Sequence, residues 1–219
     1  MTSDSPRQPK FRRRAEARPD EVLDAALTLF AGQGFAATTV DQIAGQAGVS
    51  KGAVYLYFPS KAAILEGLVQ RTIAPIAADT FDRMHGYRGD PRPLIAAFLR
   101  RIATTLMQGE TRKIPVMILR ESAATPQIAA MFRDSVLDQA LPAVRALLEQ
   151  GVQGGHIRAV DPELTTRTVV GPVMIHILLS EVFGIRPDDG LAMDRLIDNH
   201  LSIVLAGLAP DPDHPDTPR

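Results

Sequence analysis

Apolar residues recur along most of this chain at intervals of three and four, and nowhere do they alternate with polar ones for long enough to build a strand. The pattern therefore predicts helices throughout. Val22, Ala26, Leu29 and Phe30 form a first stripe that stops at Gly34, with Pro19 suited to the opening position and Asp20 and Glu21 at the positive end of the helix dipole. Val40, Ile43, Ala44 and Ala47 form a second stripe. Thr39 and Gln42 supply the capping box that starts it, and Gly48 supplies the left-handed residue that ends it. Ser50 caps a third helix from Lys51, with Val54 and Phe58 turned inward. A long helix is expected from Ser60 to Met84, kinked at Pro75. Further helices are expected over Leu94 to Gln108, Ile114 to Ser122, Pro126 to Gly151 and Pro162 to Phe183, with a last one after Gly190 that ends near Gly207. The expected fold is all-α, with a three-helix cluster over residues 19–60 and a larger helical domain over 61–209. Residues 1–18 and 210–219 are rich in proline and charge and poor in apolar side chains, which predicts disorder at both ends.

The short second and third helices, joined by a glycine turn, read as a helix-turn-helix. The outward face of the third carries Lys51, Gly52, Ala53, Tyr55 and Tyr57: one cation, two residues without bulk and two phenols. Such a face can approach DNA closely and donate to phosphates. Lys61, just past Pro59, is placed to meet a phosphate as a point charge. The formal net charge of -1 over 219 residues looks unpromising for a polyanion, but its distribution changes the picture. Residues 1–18 hold Arg7, Lys10, Arg12, Arg13, Arg14 and Arg18 against Asp4 and Glu16, so positive charge is concentrated beside the helix-turn-helix. This basic arm reads either as a solubilising tail or as a segment whose Arg12 to Arg14 lie along phosphates or in a minor groove.

The stretch AALTLFAGQGFAATTVDQIAGQAGVSKGAVYLYFPSKAAIL, within Leu23 to Leu68, resembles the N-terminal domain of the TetR family of transcriptional regulators. Phe30, Gly34, Thr39, Ile43, Ala44, Ala47, Gly48, Val49, Tyr55, Phe58 and Lys61 carry the resemblance in fixed spacing, over about a fifth of the chain. The resemblance implies that Thr39 and Tyr55 touch phosphates and that Ser50 to Ala53 and Tyr57 face the major groove. It also implies that Lys61 holds the DNA backbone. Where the family often carries histidine, this chain has Tyr57.

The second half carries two further signals. Val169 to Leu179 is apolar nearly all round, as are many positions from Leu191 to Leu208. A surface helix needs only one apolar stripe, so these helices call for a partner. The resemblance implies a homodimer through the last two helices. Met107, Met117, Met131 and Met174 join Phe98, Phe132 and Ile177 in helices expected around the domain centre, either as ordinary core or as the lining of a cavity for a small-molecule effector. Candidate ligand-binding residues are thus Phe98, Met107, Met117, Phe132, Met174 and Ile177. His176, alone on an apolar helix, reads as a hydrogen-bonded core residue.

Catalysis has little support. The histidines at 85, 156, 176, 200 and 214 lack metal-ligand spacing, cysteine is absent, and no phosphate-binding glycine loop or nucleophile motif occurs. No metal and no cofactor is expected. No apolar run reaches the roughly twenty residues of a membrane span, and the N-terminus has no secretory pattern, so a cytoplasmic protein is expected. The favoured reading is a ligand-responsive transcriptional regulator, most simply a repressor, bound to a palindromic operator. The alternative is a helical carrier or interaction scaffold with a vestigial helix-turn-helix.

Overall fold

The computed structural model describes residues 10–210, and among them every regular element is helical. The chain divides into two compact units at Leu68/Val69, a boundary that falls inside the fourth helix.

The first unit is built from α1 (Lys10–Gln33), α2 (Val40–Gln46), α3 (Lys51–Tyr57) and the first turns of α4 (Lys61–Thr72). Helix α1 starts at Lys10, well before the expected Pro19, so the expected disorder of residues 1–18 does not hold from Lys10 onward. Arg, Ala and Glu between Lys10 and Arg18 are strong helix formers, and Pro19 sits inside the helix without ending it. The rest of the basic arm and the tail from residue 211 lie outside the described residues.

The core of this unit is the stripe Val22, Ala26 and Phe30 packed with Ile43, Ala44, Val54, Ile64, Leu65 and Leu68, all buried. Local chemistry sets its turns. Thr39 Oγ1 accepts from the Gln42 N–H while Gln42 Oε1 accepts from the Thr39 N–H at 2.8 Å, which closes the capping box. Gly48 takes φ +67°, and the Val49 N–H then returns to the Ala44 carbonyl. Ser50 Oγ accepts from the Ala53 N–H at 3.1 Å. Phe58, held extended by the following Pro59, ends α3.

The second unit comprises the end of α4, α5 (Ala74–Met84), α6 (Arg92–Leu106), α7 (Lys113–Ala124), α8 (Pro126–Phe132), α9 (Asp138–Gln153), α10 (Pro162–Val182) and α11 (Met193–Leu208). Its core joins Ile95 and Leu99 to Val144, Leu147, Leu148, Val169, Val173, Ile177, Ile197 and Leu201. Two of the expected long helices are interrupted. The helix expected from Ser60 to Met84 breaks at Ile73, because Pro75 has no N–H for the Arg71 carbonyl and its ring crowds that oxygen. The one expected from Pro126 to Gly151 contains a π-helical turn, Arg133–Leu137, between α8 and α9. Pro142 lies inside α9 and cannot donate to Asp138, and the widened turn stands immediately before that carbonyl. His200 and His176 both serve as packing links, His200 Nε2 meeting the Val169 carbonyl at 2.9 Å and His176 Nε2 the Leu191 carbonyl.

Candidate nucleic-acid interface and effector cavity

On α3, Val54 is fully buried and sets the inward direction. At about 100° per residue, Gly52 and Leu56 then lie about 160° away, at the outermost line of the helix. Lys51 and Tyr55 flank that line on one side and Tyr57 on the other. Tyr55 is 45% exposed and Tyr57 38%, whereas Leu56 is 83% exposed. Leu56 carries no polar group and so stands outside the polar face expected from the sequence. The helical angle from Val54 was the signal that could have found it.

Lys51 Nζ donates to Asp41 Oδ2 at 2.7 Å, a link between the reading helix and the first turn of α2. That hydrogen bond and the charge of Asp41 raise the Lys51 pKa above its ordinary value. Both partners are exposed, so the pair orients the ammonium more than it stabilises the fold. Thr39 and Ser50 hold their hydroxyls in the caps already described, at the exposed surface. Gly52 has open space around it: a Cβ built there would find only Ser50 Oγ, 3.9 Å away.

Lys61 has partners within the protein. Its ammonium donates to the carbonyls of Phe35 at 2.6 Å, Thr38 at 2.8 Å and Ala36 at 3.1 Å, and lies 4.5 Å from the centre of the Phe35 ring. Each ammonium proton has a carbonyl in the α1–α2 connection. In this arrangement Lys61 clamps that connection to the start of α4.

The second unit contains an open-sided cavity of about 320 Å³. Ile73 and Ile76 from the α4–α5 break, Phe98, Ile102 and Leu106 from α6, Phe132, Val136 and Leu137 at the π-helical turn, and Val173 and Met174 from α10 form much of its wall. Pro115, Ala140, Leu141 and Val170 also line it, and among the described residues no lining side chain carries a charge or a hydrogen-bonding group. Of the six candidate ligand residues, Phe98, Phe132 and Met174 line this cavity. Met117 and Ile177 are buried in the core away from its wall, and Met107 is half exposed at the end of α6. In the middle of the π-helical turn, Ser135 Oγ accepts from Gln70 Nε2 at 2.9 Å, tying α4 to a segment that forms the wall.

Helices α10 and α11 expose large apolar side chains: Leu164, Ile175 and Val182 along α10, Phe183 and Ile185 just beyond it, and Ile203 on α11. The intervals 164, 175, 182 follow one helical face. Gly171, between them on that face, has open space above it. No described helix is long and apolar enough to cross a membrane, and no cluster of three or more His, Asp or Glu suited to a metal ion occurs among the described residues.

Comparison with known proteins bears on the whole chain. Residues 22–68 match the family model of bacterial regulatory proteins of the tetR family, and residues 88–199 match that of tetracyclin repressor-like C-terminal domains. The HTH-type transcriptional repressor KstR2 of Rhodococcus jostii is 31% identical over 202 residues, which covers 88% of this chain and 91% of the relative. Among solved structures, SmeT, the repressor of the Stenotrophomonas maltophilia multidrug efflux pump SmeDEF, superposes with TM-score 0.71 at 25% identity, covering 94% of this chain and 98% of that one. FadR of Bacillus subtilis in complex with stearoyl-CoA gives TM-score 0.71 at 21% identity, with 86% and 98% covered.

Proposed function

Because the chain belongs to the TetR family of DNA-binding transcriptional regulators, we propose that it is a repressor that grips a palindromic operator as a homodimer and lets go when a small apolar or amphipathic effector seats its hydrocarbon part in the second unit. The observation that carries this reading is the cavity, apolar among the described residues, whose wall includes Ile73 at the break that ends α4. Helix α4 also forms part of the reading unit.

An apolar cavity rewards a ligand for leaving water, at about 25 cal/mol per Å² of apolar surface removed, and offers nothing to a charge. A methylene fills about the space of a water molecule, roughly 30 Å³, so the cavity suits about ten carbon atoms. An effector with a polar headgroup would keep that group outside this wall. FadR was crystallised with an acyl-CoA and SmeT represses an efflux pump gene set, which makes acyl-CoAs of medium chain length and lipophilic aromatic antimicrobials the compounds to try first.

The homodimer reading is supported by the exposed stripe on α10 and by Ile203 on α11, a face that a two-fold partner would cover with its own copy. One short reading helix contacts too few bases for useful specificity, and a dimer doubles them, with half-site centres about ten base pairs apart or at a multiple of that spacing. Binding is tested by enrichment of randomised duplexes and by gel shift, and release by thermal-shift screening followed by titration with the best compound. Linkage makes the last step decisive: an effector that weakens operator binding a hundredfold must itself bind a hundredfold more weakly in the presence of saturating operator. Equal effector affinity with and without DNA would refute the switch, and failure to enrich any duplex would refute operator binding.

A further inference from the structure

Leu56 is the most exposed large apolar side chain among the described residues, and it stands at the outermost line of the reading helix. Helical side chains lean toward the N-terminus, so Leu56 covers the turn formed by Gly52 and Ala53. Those three residues make a strip without a single side-chain donor or acceptor. The polar groups of α3 sit to either side of it: Lys51, already turned onto Asp41, with Tyr55 on one flank, and Tyr57 on the other.

A strip of this kind cannot read the hydrogen-bonding edge of a base. Pressed against guanine, adenine or cytosine in a major groove, it would strip water from N7, O6 or an exocyclic amine and give nothing back. Thymine is the exception, because its C5-methyl is the one apolar group a base pair presents in that groove. The missing Cβ of Gly52 lets the helix approach closely enough for the leucine to reach it, and the open space around Gly52 shows that the glycine answers to no packing need inside the protein.

We infer that Leu56 is a specificity-determining residue that selects a thymine in each operator half-site through contact with its C5-methyl group. The inference rests on the reading above in which α3 enters the major groove of a palindromic operator. Leu56 acts by apolar contact alone, so the discrimination it confers is against bases that lack the methyl, and it is insensitive to salt.

The experiment removes that methyl and nothing else. Duplexes enriched by the full-length wild-type chain are resynthesised with uracil in place of each thymine in turn, and their affinities are measured for the wild type and for Leu56→Ala. Since Leu56 is almost fully exposed, Leu56→Ala is expected to fold and to melt as the wild type does. At one thymine per half-site, uracil should weaken wild-type binding about fourfold, the effect of losing one buried methyl-sized group. Leu56→Ala should bind thymine and uracil duplexes equally at that position while keeping its preferences elsewhere. Wild-type indifference to uracil at every position would overturn the inference, and so would the same uracil penalty in Leu56→Ala. A change of oligomeric state in Leu56→Ala with unaltered base preference would show instead that the leucine contacts protein. If the wild type enriches no duplex at all, operator binding itself fails and this inference falls with it, whereas a clean operator without methyl dependence defeats only the role of Leu56.

Discussion

Replacing Lys61 with methionine keeps the length and apolar stem of the side chain while deleting its ammonium, and with it three hydrogen bonds to the carbonyls of Phe35, Ala36 and Thr38 and the contact with the Phe35 ring. A hydrogen bond that involves a charged group contributes about 1.5–3 kcal/mol when well buried, but Lys61 is only partly buried and water can reach the Ala36 carbonyl in its absence. Discounting each bond to roughly 0.5–1 kcal/mol, and treating the ring contact as minor, gives a loss of about 2 kcal/mol. In a chain of this size that corresponds to a fall of about 4–8 °C in melting temperature. Lys61→Arg should rescue little, because a flat guanidinium cannot aim its protons at three converging carbonyls. Urea and thermal unfolding measure the loss, and hydrogen exchange at the amides of residues 34–38 localises it. If Lys61 instead meets a phosphate, stability stays put and the slope of log affinity against log salt falls by about 0.9. A Lys61→Met protein that melts within a degree of wild type while losing that slope would refute the clamp.

Ile175→Asp places a carboxylate on the exposed face of α10 and is expected to leave each chain folded, convert dimers to monomers in light scattering, and weaken operator binding by more than about tenfold; an unchanged mass would move the interface elsewhere. Ala140→Phe fills the cavity from its own wall and should mimic the effector by lowering operator affinity, and adding Ser135→Ala, which removes the link to Gln70, should restore most of it. Equal weakening with and without Ser135 would exclude that hydrogen bond as the route, and the milder Ala140→Leu guards against a misfolded result. The Arg92 side chain, by hydrogen bonding to Asp90, holds that carboxyl below its usual range. The folded pKa is thus lower than the unfolded one, so the stabilisation is present above pH ~4 and is lost as the pH falls through the folded value. The pair is about one-third exposed, so Asp90→Asn should lower stability at pH 7 by less than about 1 kcal/mol, and the difference should shrink as the pH falls through the lowered folded pKa; a gap that stayed constant into acid would contradict this.

What could be read from the chain beforehand was mostly local. Thr39 with Gln42, Gly48 and Ser50 specify the helix-turn-helix through contacts over three or four residues, and the structure has them as the sequence implies. Pro75 announced an interruption, but whether a proline bends a helix or breaks it depends on packing around Ile73. The π-helical turn at 133–137 has only Pro142, five residues beyond it, as a marker, and a wider turn gains over an α-turn only when tertiary contacts favour it. Composition pointed to a soft apolar centre yet could not say which side chains face a void. Phe98 and Met174 do, while Met117, equally apolar, turns into the core. Lys61 escaped for a different reason: its partners are carbonyls more than twenty residues away, invisible to any pattern of side chains.

Gly67 shows how freely such a reader can change its language. A Cβ at this position would come within 2.8 Å of the Phe58 ring and 3.0 Å of Leu23, so α4 rests directly on the residues beneath α3. Phe58 at the end of α3 and the buried Val54 face inward, while Gly52 and Leu56 are exposed. The vocabulary of α3 and its foundation are written in separate residues. Descendants of this chain can therefore drift to new operators by replacing the two exposed residues at little cost in foldedness, whereas any side chain at position 67 must first displace Phe58 and Leu23.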